Sequence, residues 1–257
     1  MNDYLKEMET AVEDLVAFLN KLEIRPRRNV LLDSVSLGMV SKAVRLFRAV
    51  ISLVHQGFFE EAYGLARSSV ELRINARWIA NQDSDRRSRE FFYFGSKQVE
   101  HFNKLAETYM PSYRNRGKED EVLKRISSLY KRHQRWTETD LKSRAMEPST
   151  RQFDAKKAPS TITQTYETVY WSMCSFCHVD IAALMYGDHV PTPRMPFAVS
   201  ESTGAAHHGL QAAQVSGLSV FLAVEYALEA MNMSVPQHMQ DLFFKVLTFK
   251  NAQSPTV

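Results

Sequence analysis

The chain has only two cysteines, nine glycines and nine prolines among its 257 residues. So few glycines and prolines argue against a loop-rich β fold, which needs many turns. Two cysteines cannot form a closed zinc site by themselves, because such sites use four Cys or His ligands. The net charge of +3 is too small to indicate a nucleic-acid partner on its own. Composition therefore points to an ordinary soluble, helix-rich protein.

Export and membrane signals are also missing. The N-terminal sequence MNDYLKEMETAVEDL is polar and acidic, without the basic and apolar regions of a secretory signal. The most apolar stretch, 216–231, is shorter than a membrane span and contains Glu225 and Glu229. We therefore predict a cytoplasmic protein that lies outside membranes and keeps its thiols reduced.

One pattern, Cys174-Ser-Phe-Cys177-His178, matches the C-x-x-C-H signature of c-type haem attachment. Haem attachment follows export, which nothing in the sequence directs, so we do not expect haem here. The chain also lacks the Walker A, G-x-G-x-x-G, H-E-x-x-H and G-x-S-x-G motifs. The sequence thus predicts neither a cofactor nor a metal ion.

Apolar residues recur at helical spacing along most of the chain. The predicted helices cover about residues 3–22, 31–56, 59–81, 84–108, 117–136, 162–186 and 205–231, and a short one follows Ser234. No strand pattern or internal repeat is convincing, so we predict an all-α, single-domain bundle of seven or eight helices over residues 1–257. Residues 111–160 differ, with 13 Lys and Arg against 7 Asp and Glu. They are predicted to form a basic, partly mobile insertion within the domain.

The predicted helix at 59–81 places a charge among apolar residues. In a helical wheel of residues 63–79, Arg67 falls inside the apolar arc and Glu71 lies at its edge. A guanidinium on a buried face is costly unless it is paired, and Glu71 lies one turn further along the helix. Asn75 continues the same polar ridge.

A second polar set lies on the predicted helix at 162–186. Trp171 and Cys174 fall within about 40° of His178 on the wheel, and Ser175 lies about one turn before it. His178 is therefore expected to point out of a largely apolar face.

These two polar sets admit two interpretations. They are hydrogen-bonded ties that fix the register of the helices, or they converge on one pocket. His207 and His208, near the start of a later helix, are expected at the surface.

The basic stretch 113–136 interleaves aromatic and basic side chains, a pattern that suits phosphate contact and base stacking. A solvated amphipathic helix is the other interpretation, because acidic residues dilute the patch. The candidate nucleic-acid-binding residues are Arg125, Lys131, Arg132, Arg135 and Trp136.

The R-x-x-x-E pattern of Arg67 and Glu71, together with the S-x-x-H pattern of Ser175 and His178, resembles an uncharacterised all-helical bacterial family, a domain of unknown function. The resemblance spans about residues 35–230 and implies no activity, but it favours these four residues as site residues. A looser similarity is to HEPN ribonucleases, which cut RNA without metal by means of an Arg and a His. By that similarity His178 would act as general acid or base, and Arg67 would stabilise the phosphorane charge.

The sequence thus favours a helical protein whose central pocket, lined by the candidate catalytic residues Arg67, Glu71, Ser175 and His178, binds a small or anionic ligand or a partner. One alternative is a metal-independent HEPN-like ribonuclease or defence effector that holds RNA on residues 113–136. The other is a structural or interaction protein that forms a homodimer through an apolar helix face.

Overall fold

A computed structural model of the chain describes residues 2–21, 27, 31–109, 137, 139–148, 160–178 and 206–248. These residues are almost entirely helical, and none of them lies in a β-strand. The predicted all-α class is confirmed.

The helices are α1 (Asn2–Lys21), α2 (Leu31–His55), α3 (Phe59–Asn81), α4 (Ser84–Tyr109), α5 (Leu141–Met146), α6 (Ser160–Thr165), α7 (Trp171–His178), α8 (Ala206–Ala230) and α9 (Gln237–Thr248). A π-helical turn, Tyr166–Tyr170, joins α6 to α7 without a break in the helix. The observed bounds of α1 to α4 and of α8 lie within one residue of those predicted. The helix predicted at 117–136 lies outside the described residues, and α5 was not predicted.

The core lies where α8 packs between α2 and α3. Every residue from 219 to 228 is buried, which is expected of a helix that is apolar on all sides. The buried apolar side chains of the described helices form one cluster. None of the described helices is long and apolar enough to cross a membrane.

The connection between α2 and α3 is a tight turn at Gly57. Its φ of 81° lies in the left-handed region, which glycine adopts without strain. The amide of Phe58 donates to the Leu53 carbonyl at 2.9 Å, so the turn satisfies an end carbonyl of α2.

Helix α3 therefore has several neighbours besides α8. Helices α2 and α4 pack on it, and so do α5, α7 and the π-helical turn. Side chains on different faces of α3 therefore contact residues that are distant in sequence.

Candidate functional site

Three side chains close a hydrogen-bonded cluster between α3 and the π-helical turn. Arg67 Nη2 donates to Glu71 Oε1 at 2.6 Å, which forms the predicted pair one turn apart. The Tyr170 hydroxyl donates to the same Glu71 oxygen at 2.7 Å and accepts from Arg67 Nε at 3.3 Å. The side chains of Arg67 and Glu71 are 26% and 34% exposed, so both reach solvent. We call these three residues the α3 cluster.

The π-helical turn brings Tyr170 to this position. Residues four apart in an α-helix drift by about 40° around the axis. A π-helix has more residues in each turn and so changes this angle, and here Tyr166 and Tyr170 both lie on the buried side. Their rings stack with centroids 4.9 Å apart and an interplanar angle of 17°. Such turns are rare and are found often at functional sites.

Electrostatics fix the protonation states in the α3 cluster. Burial raises the pKa of Tyr170 above its ordinary value, and the Glu71 carboxylate adds to this effect while Arg67 opposes it. Burial alone would lower the pKa of Arg67, but contacts with Tyr170, Glu71 and Cys177 raise it above its ordinary value. At neutral pH Tyr170 is therefore a neutral donor to Glu71, and Arg67 is a cation.

Helix α5 places Arg144 next to Asn75, which lies one turn after Glu71 on α3. Arg144 donates from Nη1 to Asn75 Oδ1, and its Nε donates to the Asp140 carbonyl at 3.2 Å. Burial lowers the pKa of Arg144 to about 10, and the nearby Glu71 opposes this shift. Arg144 is thus a buried cation at neutral pH, and it adds positive charge beside Glu71.

Both thiols of the chain touch the α3 cluster from α7. Cys177 Sγ donates to the Gly64 carbonyl at 3.0 Å, and the thiol lies near enough to the Arg67 guanidinium to raise the pKa of Arg67. The Cys174 thiol lies near Tyr170, and burial raises the pKa of Cys174. Cys177 is exposed, whereas Cys174 is half-buried. In the part of the chain that the structure describes, no group of three or more His, Cys, Asp and Glu side chains could hold a metal ion.

Glu71 and Asn75 also lie on the wall of a groove between α2, α3 and α4, which we call the α4 groove. Its volume is about 690 Å³, and its surface is mainly apolar. Its larger apolar side chains are Met39, Leu46, Leu72, Phe91, Phe92 and Val99. Gly38 and Gly95 line it too, and a Cβ built at either would meet no heavy atom within 4 Å. Among the described residues of the wall, Lys42 is charged besides Glu71.

Among the described residues, Glu71 uses only one of its two oxygens as a hydrogen-bond acceptor. Oε1 accepts both hydrogen bonds of the α3 cluster. Oε2 accepts none from the described residues. A carboxylate oxygen without a donor, on the wall of a largely apolar groove, can accept a hydrogen bond from a bound molecule.

The predicted site residues are brought together only in part. Arg67 and Glu71 pair as predicted, and α7, which carries Ser175 and His178, packs against α3. The side chains of Ser175 and His178 lie outside the described part of the structure, so their place in the site stays a prediction. The residues of the predicted RNA track, Arg125, Lys131, Arg132, Arg135 and Trp136, also lie outside it. Nothing in the structure tests RNA binding, ribonuclease activity or homodimerisation, so these stay predictions.

Two expectations about exposure were wrong. Trp171 is 59% exposed, although the wheel centred on His178 placed it on a core-facing arc. The buried arc runs instead through Tyr170 and Met173, which face α3 and the core. His208 is only 8% exposed, because its ring packs on Tyr63 with centroids 4.9 Å apart.

Sequence reasoning missed Tyr170 and Arg144. The signal for Tyr170 was the spacing of four apolar or aromatic residues at intervals of four, four and three: Ile162, Tyr166, Tyr170 and Met173. The signal for Arg144 was Asp140, a good N-cap residue, whose side chain accepts from the Ser143 amide at 2.7 Å and begins α5.

The fold and the site together define a class of protein: an all-helical bundle with a half-buried polar cluster beside an apolar groove. Within that class, the chain belongs to the family of unknown function DUF5677, whose model matches residues 33–191. The predicted resemblance to a helical domain of unknown function is confirmed. Searches of curated proteins and of solved structures found no match. The match includes nearly all of α2 and the whole of α3, so the α3 cluster lies within the family's domain.

Proposed function

We propose that this protein binds a small amphipathic molecule in the α4 groove, with its apolar body between α2, α3 and α4 and a polar donor group on Glu71. The observation that carries the proposal is a groove of about 690 Å³ that is mainly apolar and has a carboxylate on its wall. Sites for small ligands in proteins are concave, have volumes of this order and carry few polar groups.

The apolar part of the groove favours an aliphatic or aromatic body. Leu72, Phe91 and Phe92 give it a wall with little hydrogen-bonding capacity. Gly38 and Gly95 leave space where any other residue would project a side chain. A ligand that removes this surface from water gains about 25 cal/mol for each Å² of apolar area.

The polar part of the groove favours a donor over an anion. Glu71 Oε2 is free of partners among the described residues and can accept from a hydroxyl or an ammonium group. A carboxylate on the ligand would be repelled by Glu71. Lys42 also lines the groove, but its side chain is exposed, so water screens its charge.

The test is calorimetric titration of the reduced protein with three molecules that share one apolar body: octylamine, octan-1-ol and octanoate. We expect octylamine to bind most tightly and octanoate least tightly. Glu71→Gln should reduce the preference for octylamine over octanoate by about fivefold, since an ion pair that is open to solvent contributes up to about 1 kcal/mol.

A second variant tests the place of binding. Gly95→Leu puts a side chain into open space in the groove and should weaken all three probes together. Glu61→Leu is the matched control, because it adds the same side chain at an exposed position of α3 outside the groove. Equal affinities for the three probes, or unchanged affinities in Gly95→Leu, would refute the proposal.

A further inference from the structure

The two cysteines of α7 are not needed by the α4 groove, yet both lie against the α3 cluster. Cys174 and Cys177 are three residues apart on one helix, so they lie on neighbouring positions of its surface. Cys177 donates to the Gly64 carbonyl at 3.0 Å and lies near the Arg67 guanidinium, whereas Cys174 lies near Tyr170. They are the only two thiols in the chain.

We infer that Cys174 and Cys177 form a thiol–disulfide exchange site that reacts with small disulfides such as oxidised glutathione. In the first step the Cys177 thiolate attacks one sulfur of the disulfide, forms a mixed disulfide and releases one small thiol. In the second step Cys174 loses its proton to solvent and attacks Cys177 Sγ, which releases the second small thiol. The two protein thiols are oxidised to one disulfide, and the small disulfide is reduced to two thiols.

The surroundings give the two cysteines different parts in this reaction. Cys177 is exposed and lies beside the Arg67 guanidinium, and reactive cysteines lie in partly exposed, electropositive surroundings. Cys174 is half-buried, and its burial disfavours the thiolate. Cys177 is therefore the attacking residue, and Cys174 is the one that resolves the mixed disulfide.

Helix geometry makes the resulting disulfide strained and reversible. In an α-helix residues three apart have Cα atoms about 5 Å apart, which a disulfide can bridge. Their Cβ atoms, however, are about 5–6 Å apart, whereas a disulfide needs about 3.5–4.5 Å. The bond therefore requires a local distortion of α7, and strained disulfides are readily reduced.

Oxidation also changes the α3 cluster. Cys177 must give up its hydrogen bond to the Gly64 carbonyl, and both sulfurs must shift relative to Arg67 and Tyr170. Arg67 and Tyr170 hold Glu71, so the disulfide is expected to alter binding in the α4 groove. Only this consequence depends on the proposed function, and the exchange reaction does not.

The test is to incubate the full chain with oxidised glutathione, block free thiols with iodoacetamide and measure the intact mass. We expect a monomer lighter by two hydrogens that takes up no iodoacetamide until dithiothreitol is added. Cys174→Ser should stop at the glutathione adduct of Cys177. Cys177→Ser should leave Cys174 free to react with iodoacetamide.

A rate measurement tests the part of Arg67. Arg67→Gln should slow the first step about threefold, because the positive guanidinium near Cys177 attracts the anionic disulfide. Arg48→Gln is the matched control, since Arg48 pairs with Glu13 of α1 and not with a residue of the α3 cluster. A wild-type chain that keeps both thiols, that stops at the glutathione adduct or that forms linked dimers would overturn the inference. The groove titrations use reduced protein, so either proposal can fail without the other.

Discussion

At the scale of single residues, Arg67 and Glu71 have different surroundings although they form one ion pair. The Arg67 guanidinium donates hydrogen bonds to Glu71 and Tyr170, and Cys177 lies near it. Glu71 uses one oxygen for Arg67 and Tyr170, and it lies on the groove wall. The sequence allowed two interpretations: a hydrogen bond that holds helices together, or a group that lines a pocket. In the structure one interpretation suits Arg67 and the other suits Glu71. Arg67 links α3 to the π-helical turn by hydrogen bonds, and Glu71 is the residue that we propose binds a ligand.

A second residue-scale feature predicts how stability depends on pH. Burial, with a smaller contribution from His207, lowers the pKa of His208 to about 4 from its usual 6.5. The unfolded chain then binds a proton more readily than the folded one as the pH falls below 6.5. The free energy of unfolding is expected to fall between pH 6.5 and pH 4, by at most about 3 kcal/mol from this residue.

Urea unfolding at a series of pH values measures this contribution. His208→Gln removes the titrating group, so the fall below pH 6.5 should be smaller than in the parent chain. The matched control is His101→Gln, which removes an exposed imidazole of α4. An equal fall in the parent chain and in His208→Gln would show that His208 is not the source.

At the scale of elements, the long helices with a repeating apolar pattern could be predicted from sequence. The short helix α5, which is held by contacts with distant residues, could not. The bounds of α3 match the prediction at both ends because many apolar residues repeat along it. Helix α5 has six residues, too few for a period to be visible, and its contacts lie on α3. The pair of Arg67 and Glu71 could be predicted because the partners are one turn apart. Tyr170 could not, because only tertiary packing brings it to residues about a hundred positions away.

One carboxylate just after the end of α5 accepts three hydrogen bonds from α3, α4 and the turn between them. Glu147 Oε1 accepts from Asn81 at 3.0 Å, from Gln82 at 2.6 Å and from Arg87 at 3.0 Å. Arg87 is only 5% exposed, and its guanidinium lies 3.7 Å from the centroid of the Trp78 ring. The segment after α5 is thus held by a nearly buried ion pair.

Removing this carboxylate should be costly. Glu147→Ala leaves the Arg87 guanidinium without its ionic partner, and breaking such a buried pair costs about 3 kcal/mol of the free energy of unfolding. Urea unfolding at neutral pH measures the loss. Glu13→Ala is the matched control, because it breaks the exposed pair with Arg48 and should cost less than about 1 kcal/mol. Similar losses in the two variants would contradict a special part for Glu147.

At the scale of the whole molecule, α3 is tightly packed on one side and borders a groove on another. Helix α8 fills the space between α2 and α3 and makes the fold compact there. On another side α4 packs on α2 and α3 but leaves the α4 groove between them. Gly38 and Gly95 lie in helix interiors, where glycine costs stability relative to alanine. Neither is required by a close contact, so the packing of the described helices does not explain them.

Replacing Gly38 or Gly95 with alanine therefore tests whether the α4 groove is open, because the sign of the stability change depends on it. Gly38→Ala and Gly95→Ala should each raise the free energy of unfolding by about 0.5–1 kcal/mol, because a methyl group enters open space and the unfolded chain loses freedom. Gly209→Ala in α8 should lower it, since the new Cβ would overlap the ring of Phe59. Urea unfolding of the three variants at one pH measures the signs. A loss of stability in Gly38→Ala or Gly95→Ala would mean that another part of the chain fills the groove, and it would remove the proposed ligand site.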